Sequence, residues 1–172
     1  CFNVSASDND FLIVPELVLE AAANPQDEWI ELYNRGPSTV DLTGWKLDGG
    51  VEFNFPTGTT IAPDGYLVVA QNTARMATTY PGINVVGNFS GRLRNSQDLI
   101  QLVDANRNLA DEVRYYEDSY WPTFADGGGS SLELRNPHAD NSHPGAWAAS
   151  LEDHKTIWNT YTYRGSATPF ES

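Results

Sequence analysis

Glu28-Trp29-Ile30-Glu31-Leu32-Tyr33-Asn34, followed after Arg35-Gly36-Pro37-Ser38-Thr39 by Val40-Asp41-Leu42-Thr43-Gly44-Trp45-Lys46-Leu47, sets the pattern of the chain. Each half alternates apolar and polar residues with a period of two, as a half-buried strand requires. Ile30 and Leu32 share one face, while Glu31 shares the other with Trp29 and Tyr33. The run between the halves is turn chemistry, with glycine for unusual dihedrals and proline for a preset φ. The two halves are therefore expected to be antiparallel strands.

The same signature recurs on both sides. Residues 11–19 form an apolar run that Pro15 demotes to an edge or bulged strand. Val51, Phe53 and Phe55 alternate with Glu52 and Asn54 after the Gly49-Gly50 turn. Residues 66–70 are apolar on both faces, which suggests a strand central to the fold. Further strands are expected at 84–87, 99–103, 109–116 and 131–134, and one more at 156–164. A single short helix is expected at 74–80, capped by Asn72 or Thr73 and stopped by Pro81-Gly82. Short strands at regular spacing predict an all-β sandwich or barrel.

Composition bounds the rest. The chain has 172 residues, of which 40% are hydrophobic and 12% aromatic, enough to fill one domain core and to exclude disorder. Cys1 is the single cysteine, which excludes an intrachain disulfide and a cysteine-based metal knuckle. No apolar run approaches the ~20 residues of a membrane-spanning helix. Asp and Glu total 23 against 10 Lys and Arg, for a formal net charge of −13. A field of that sign repels nucleic-acid phosphates and anionic membranes. It tolerates a cationic partner, divalent metals or neutral glycans, and it also serves plain solubility.

Longer motifs carry a family resemblance. Beyond the opening pair, Phe55-Pro56-Thr57-Gly58-Thr59-Thr60-Ile61 with Gly65-Tyr66-Leu67-Val68-Val69-Ala70, and residues 93–104, keep a fixed order. Asp111-Glu112-Val113-Arg114-Tyr115 follows. Trp121-Pro122, residues 126–133, and Asp140-Asn141 with Pro144 and Trp147 close the series. Together they resemble the lamin tail domain family over residues 14–150. The resemblance implies an immunoglobulin-like β-sandwich with one short helix, serving attachment rather than catalysis. The cysteine pair of antibody domains is missing, so the likeness is of architecture. Residues 1–13 are then a tether or edge segment, and 151–172 an extension carrying an extra edge strand.

Departures from nuclear lamins refine this expectation. There is no heptad repeat, no basic import run and no prenylation cysteine near Pro169-Phe170-Glu171-Ser172. The motifs are closer in form to bacterial members, which occur as modules in large exported nucleases, phosphatases and spore-coat-type kinase proteins. The expected role is a non-catalytic attachment module of a larger exported protein, outside a bacterium or on its surface. Its partner would be a protein or an extracellular polymer, and Cys1 would be a lipid anchor or a cut precursor. The sequons at Asn3 and Asn88 matter only in a eukaryotic secretory route. The alternatives are a carbohydrate-binding module or an accessory domain of an exported hydrolase or kinase-like protein.

Candidate site residues follow from these classes. No G-x-S-x-G elbow, P-loop or H-E-x-x-H motif is present, and no catalytic residue is assigned. Tyr116, Tyr120 and Trp121 are the candidates for stacking on a sugar. Trp29, Tyr33, Trp45 and Tyr66 read more simply as core bulk and sheet-face packing than as a sugar-stacking platform on one exposed face. His138, Asp140 and His143 would bind a transition metal if their loop folded back on itself. Asp140 and Asn141 are equally natural turn formers. Asp104, Asn106 and Asn108 place oxygen ligands at alternate positions, as a calcium loop does, but lack its glycine and closing glutamate. A hairpin turn explains the same three residues, and Asp8-Asn9-Asp10 and Asp126 are further acidic candidates. No cofactor is expected, with calcium on the acidic loops as the one alternative.

Overall fold

The computed structural model describes residues 12–18, 25–94, 96–116, 120–122 and 131–150. The expected strand at 156–164, Cys1, Asp8-Asn9-Asp10 and Asp126 lie outside the described residues. In chain order the strands are β1 (Leu12–Val18), β2 (Trp29–Asn34), β3 (Val40–Asp41), β4 (Lys46–Gly49), β5 (Val51–Asn54), β6 (Thr60–Ile61) and β7 (Tyr66–Ala70). After the helix α1 (Thr73–Thr79) come β8 (Val85–Gly87), β9 (Ser90–Gly91), β10 (Gln97–Val103), β11 (Leu109–Tyr116), β12 (Leu132–Leu134) and β13 (Trp147–Ala149). One sheet runs β13-β12-β1-β2-β7-β8, a second runs β11-β10-β4-β5-β9, and β3 pairs with β6. The protein is an all-β sandwich.

The alternation read from the sequence is realised as burial. Ile30 and Leu32 are fully buried on one face of β2. On β5, Val51 and Phe53 are buried while Glu52 and Asn54 are exposed. Inward residues of both sheets join one core with Leu42, Leu47, Leu67, Val69, Ile100 and Val113. Each such side chain contributes roughly 1.5–3 kcal/mol by leaving water.

The expected antiparallel pairing of residues 28–34 with 40–47 is not formed. β2 pairs with β1 and β7, whereas β4 pairs with β10 and β5 in the other sheet. The second half splits at a turn, so that β3 and β4 belong to different sheets. Two local features make that turn. Asp41 accepts hydrogen bonds from the Thr43 amide (2.8 Å) and hydroxyl (2.6 Å). Gly44 has φ +79°, a conformation that a Cβ disfavours. Alternation reports which face is buried but not which partner a strand takes, and here the chain crosses between layers.

Pro15 does produce a bulge, since the β1–β2 register shifts between Ile13 and Glu16. It does not make an edge, because β12 covers the other side of β1. β7 is interior as expected, and its double burial has a specific cause. Leu67 and Val69 enter the main core, while Val68 and Ala70 pack with Met76 of α1 on the outer face. β7 and β8 are parallel, and a parallel pair needs a crossover connection, which α1 supplies. Asn72 is the N-cap, its side chain accepting from the Arg75 amide at 3.1 Å. Arg75 also grips Asp27 through two hydrogen bonds of 2.7 and 2.8 Å, tying α1 to the 3-10 turn at Pro25–Asp27.

Candidate functional site

The three aromatic residues read as a sugar platform do not share one fate. Tyr116, at the end of β11, is 40% exposed and Tyr120 is 86% exposed. Trp121 is only 7% exposed and packs its ring on Trp147 with centroids 6.0 Å apart. Its assignment to a ligand surface is corrected: Trp121 is core, because an indole next to Trp147 buries far more apolar area inside than a rim position allows.

The loop carrying Asp104, Asn106 and Asn108 is the β10–β11 hairpin turn. Asp104 is buried, and its Oδ1 accepts from the Asn106 and Asn108 amides, both at 2.8 Å. Its Oδ2 accepts from the Asn108 side-chain amide at 3.0 Å. N–H donors thus converge on the carboxylate, the reverse of the oxygen cage a cation needs. Asp104→Ala is expected to cost about 2 kcal/mol in denaturant unfolding, because it leaves donors without their acceptor. The loss should be the same with or without millimolar calcium. A calcium-dependent rise in the wild-type Tm that the variant lacks would make the loop a metal site instead.

The histidine loop folds through the same turn chemistry. Asp140 Oδ1 accepts from the Ser142 amide (2.9 Å) and hydroxyl (2.6 Å), and the hydroxyl chiefly holds its carboxyl below the usual range. Asp140 Oδ2 lies 3.5 Å from His143 Nε2, with both side chains largely in solvent. His138 is placed elsewhere, its ring edge-on to Tyr33 with centroids 6.2 Å apart. Among the described residues no three His, Cys, Asp or Glu side chains converge as a metal site requires. Asn141, between the histidines, is buried and donates to Asp111 Oδ2 at 2.8 Å, which fastens the loop to β11.

That placement of His138 exposes a cluster that sequence reading missed. Tyr33 on β2 stands directly opposite Tyr66 on β7 in the strand register. Their rings lie 4.6 Å apart, tilted by 31°. Tyr33 is buried beneath, and its hydroxyl donates to Asp64 Oδ1 at 3.0 Å. Tyr66 is 47% exposed. Burial raises the Tyr66 phenol above its usual value, and the Glu31 and Asp64 carboxylates push it further the same way. The turn before β7 holds the arrangement. Asp64 takes φ +55°, and Gly65 is needed because a Cβ there would come within 2.8 Å of the Ala62 carbonyl oxygen. Trp29 is half-buried beside the α1 cluster and Trp45 is core, so of the four early aromatics Tyr66 is the exposed one.

The only sequence signal for this cluster was the period-two face shared by Glu31 and Tyr33. Tyr66 joins it through register alone. A shallow groove beside α1, lined by Gln26, Asn72, Ala74, Arg75, Thr78 and Thr79, is a second surface feature. Among the described residues no helix is long and apolar enough to cross a membrane.

Comparison with known proteins supports the motif reading. Among curated proteins none matches the chain. The family profile described as Lamin Tail Domain matches residues 5–117. The matched residues include the strands from β1 through β11, and β12 and β13 beyond them complete the six-stranded sheet. That family is immunoglobulin-like, non-enzymatic and engaged in protein interaction. With its motif order, its all-β sandwich and a profile match over more than half its length, this chain belongs to the lamin tail domain family.

Proposed function

We propose that this domain is a non-catalytic attachment module of a larger exported protein, displayed outside a bacterial cell or on its surface and holding a partner there. One observation carries the reading. Side chains from both sheets, from Ile30 and Leu32 to Tyr115 and Trp147, fill the interior, so the domain meets a partner through its surface. That surface belongs to a chain of net charge −13, which suits a soluble exported protein and favours a partner of opposite charge.

The test is fractionation of the producing cells, followed with antibodies raised against this domain. Recovery in the envelope fraction or the culture medium is expected. Recovery with cytoplasmic markers overturns the proposal.

A further inference from the structure

We propose that Tyr66, backed by Tyr33 and flanked by Glu31 and Asp64, seats a lysine or arginine side chain from a basic segment of the partner protein. The inference rests on the attachment reading above and names the chemistry of the surface that would do the holding.

Three features point to this ligand class. The first is the ring. Tyr66 is 47% exposed while Tyr33 supports it from behind at 4.6 Å, so the ring is held in place with much of its surface open. An aromatic face attracts a cation placed within about 6 Å of its centre, and a guanidinium also stacks on it. The second is charge at the rim. Asp64 is anchored by the Tyr33 hydroxyl, and Glu31 precedes Tyr33 by two residues on β2. Both carboxylates act on the Tyr66 phenol. A cation over the ring would therefore meet anionic groups beside it, which an apolar or anionic ligand would not exploit.

The third feature is the strand register. Glu31 stands directly opposite Glu16 on β1, and Glu16 directly opposite Glu133 on β12. Three glutamate positions thus form one row across adjacent strands, leading away from the aromatic pair. A row of acidic positions across adjacent strands presents its charge along a line, which complements the spaced cations of a basic segment. The row and the ring together fit an extended peptide with several cationic side chains better than a single small cation.

Fluorescence anisotropy with labelled hexalysine and hexaarginine at 150 mM salt provides the test. Wild-type protein should bind, and Tyr66→Ala should weaken binding about fivefold to tenfold, the scale of a partly desolvated cation–π contact. Tyr66→Phe keeps the ring face and should bind within about twofold of wild type. Glu31→Gln should weaken binding about threefold. Glu52→Gln removes an exposed charge on the other sheet and should leave binding unchanged.

Equal binding by wild type and Tyr66→Ala, both folded by thermal melt, overturns the site. Equal losses for Glu52→Gln and Glu31→Gln also overturn it, since that outcome means bulk charge alone. Either result leaves attachment standing if the protein still fractionates with the envelope. A cytoplasmic protein overturns attachment, whatever the peptides do.

Discussion

Trp147→Ala is expected to lower the unfolding free energy by about 4 kcal/mol, the usual range for removing a buried tryptophan. For a domain of this size that is a fall in Tm of roughly 10 °C. Trp147 is 1% exposed and packs against Trp121. Its indole N–H donates to the Asn141 carbonyl at 2.8 Å, and its own carbonyl accepts from Arg135 Nε at 3.0 Å. The side chain therefore joins β13 to the histidine loop and to the core at once. Trp147→Phe separates the two contributions. It keeps much of the ring volume but leaves the Asn141 carbonyl without its donor, at a cost of about 1–2 kcal/mol. Thermal and denaturant melts measure both variants. An alanine variant that melts within a degree or two of wild type would mean that β13 does not complete the sandwich.

Asn34→Leu should be nearly as damaging, at about 3 kcal/mol or more, because it strips three partners inside the protein. Asn34 is fully buried at the end of β2. Its side-chain amide donates to the Ser38 carbonyl (2.8 Å) and the Ile61 carbonyl (2.9 Å), and its oxygen accepts from the Gly36 amide at 2.9 Å. The residue thus shapes the turn that carries the chain away from β2 and pins it to β6. Asn34→Asp gives a second readout. The introduced carboxyl would face two carbonyl oxygens in a buried site, which favours its neutral form and raises its pKa in the folded state. The folded state then holds the proton more tightly than the unfolded chain, so stability declines as pH rises through that interval. The variant should accordingly recover stability on acidification toward about pH 4. A stability that does not change with pH would show that the site relaxes open to water.

Much of the fold was legible because its signals are local. Alternation in residues 28–34 and 51–55 named the buried faces, and the Asn72 cap and Pro81-Gly82 located α1. Pro15 announced a bulge. The motif order identified the family, and the resemblance held where the profile matched it. Glu28 and Asn34, which bracket the alternating run, were not legible as core. Both are buried because distant backbone meets them, Leu93 donating to Glu28 at 2.8 Å and Ile61 accepting from Asn34. A polar residue at a strand end looks solvent-facing until its partner is known.

The all-β class, the period-two faces, the position of the helix and the acidic character of the molecule follow from the order of residues alone. These depend on neighbours within a few residues or on composition. It took the folded chain to put β2 and β4 in opposite sheets, Trp121 in the core and Asp104 at the clamp of a hairpin. Strand register likewise put Tyr66 opposite Tyr33, with His138 at the edge and carboxylates alongside. Strand partners are chosen by whole-face burial and by turns that steer the chain between layers, and a one-residue change of register would separate residues that now touch.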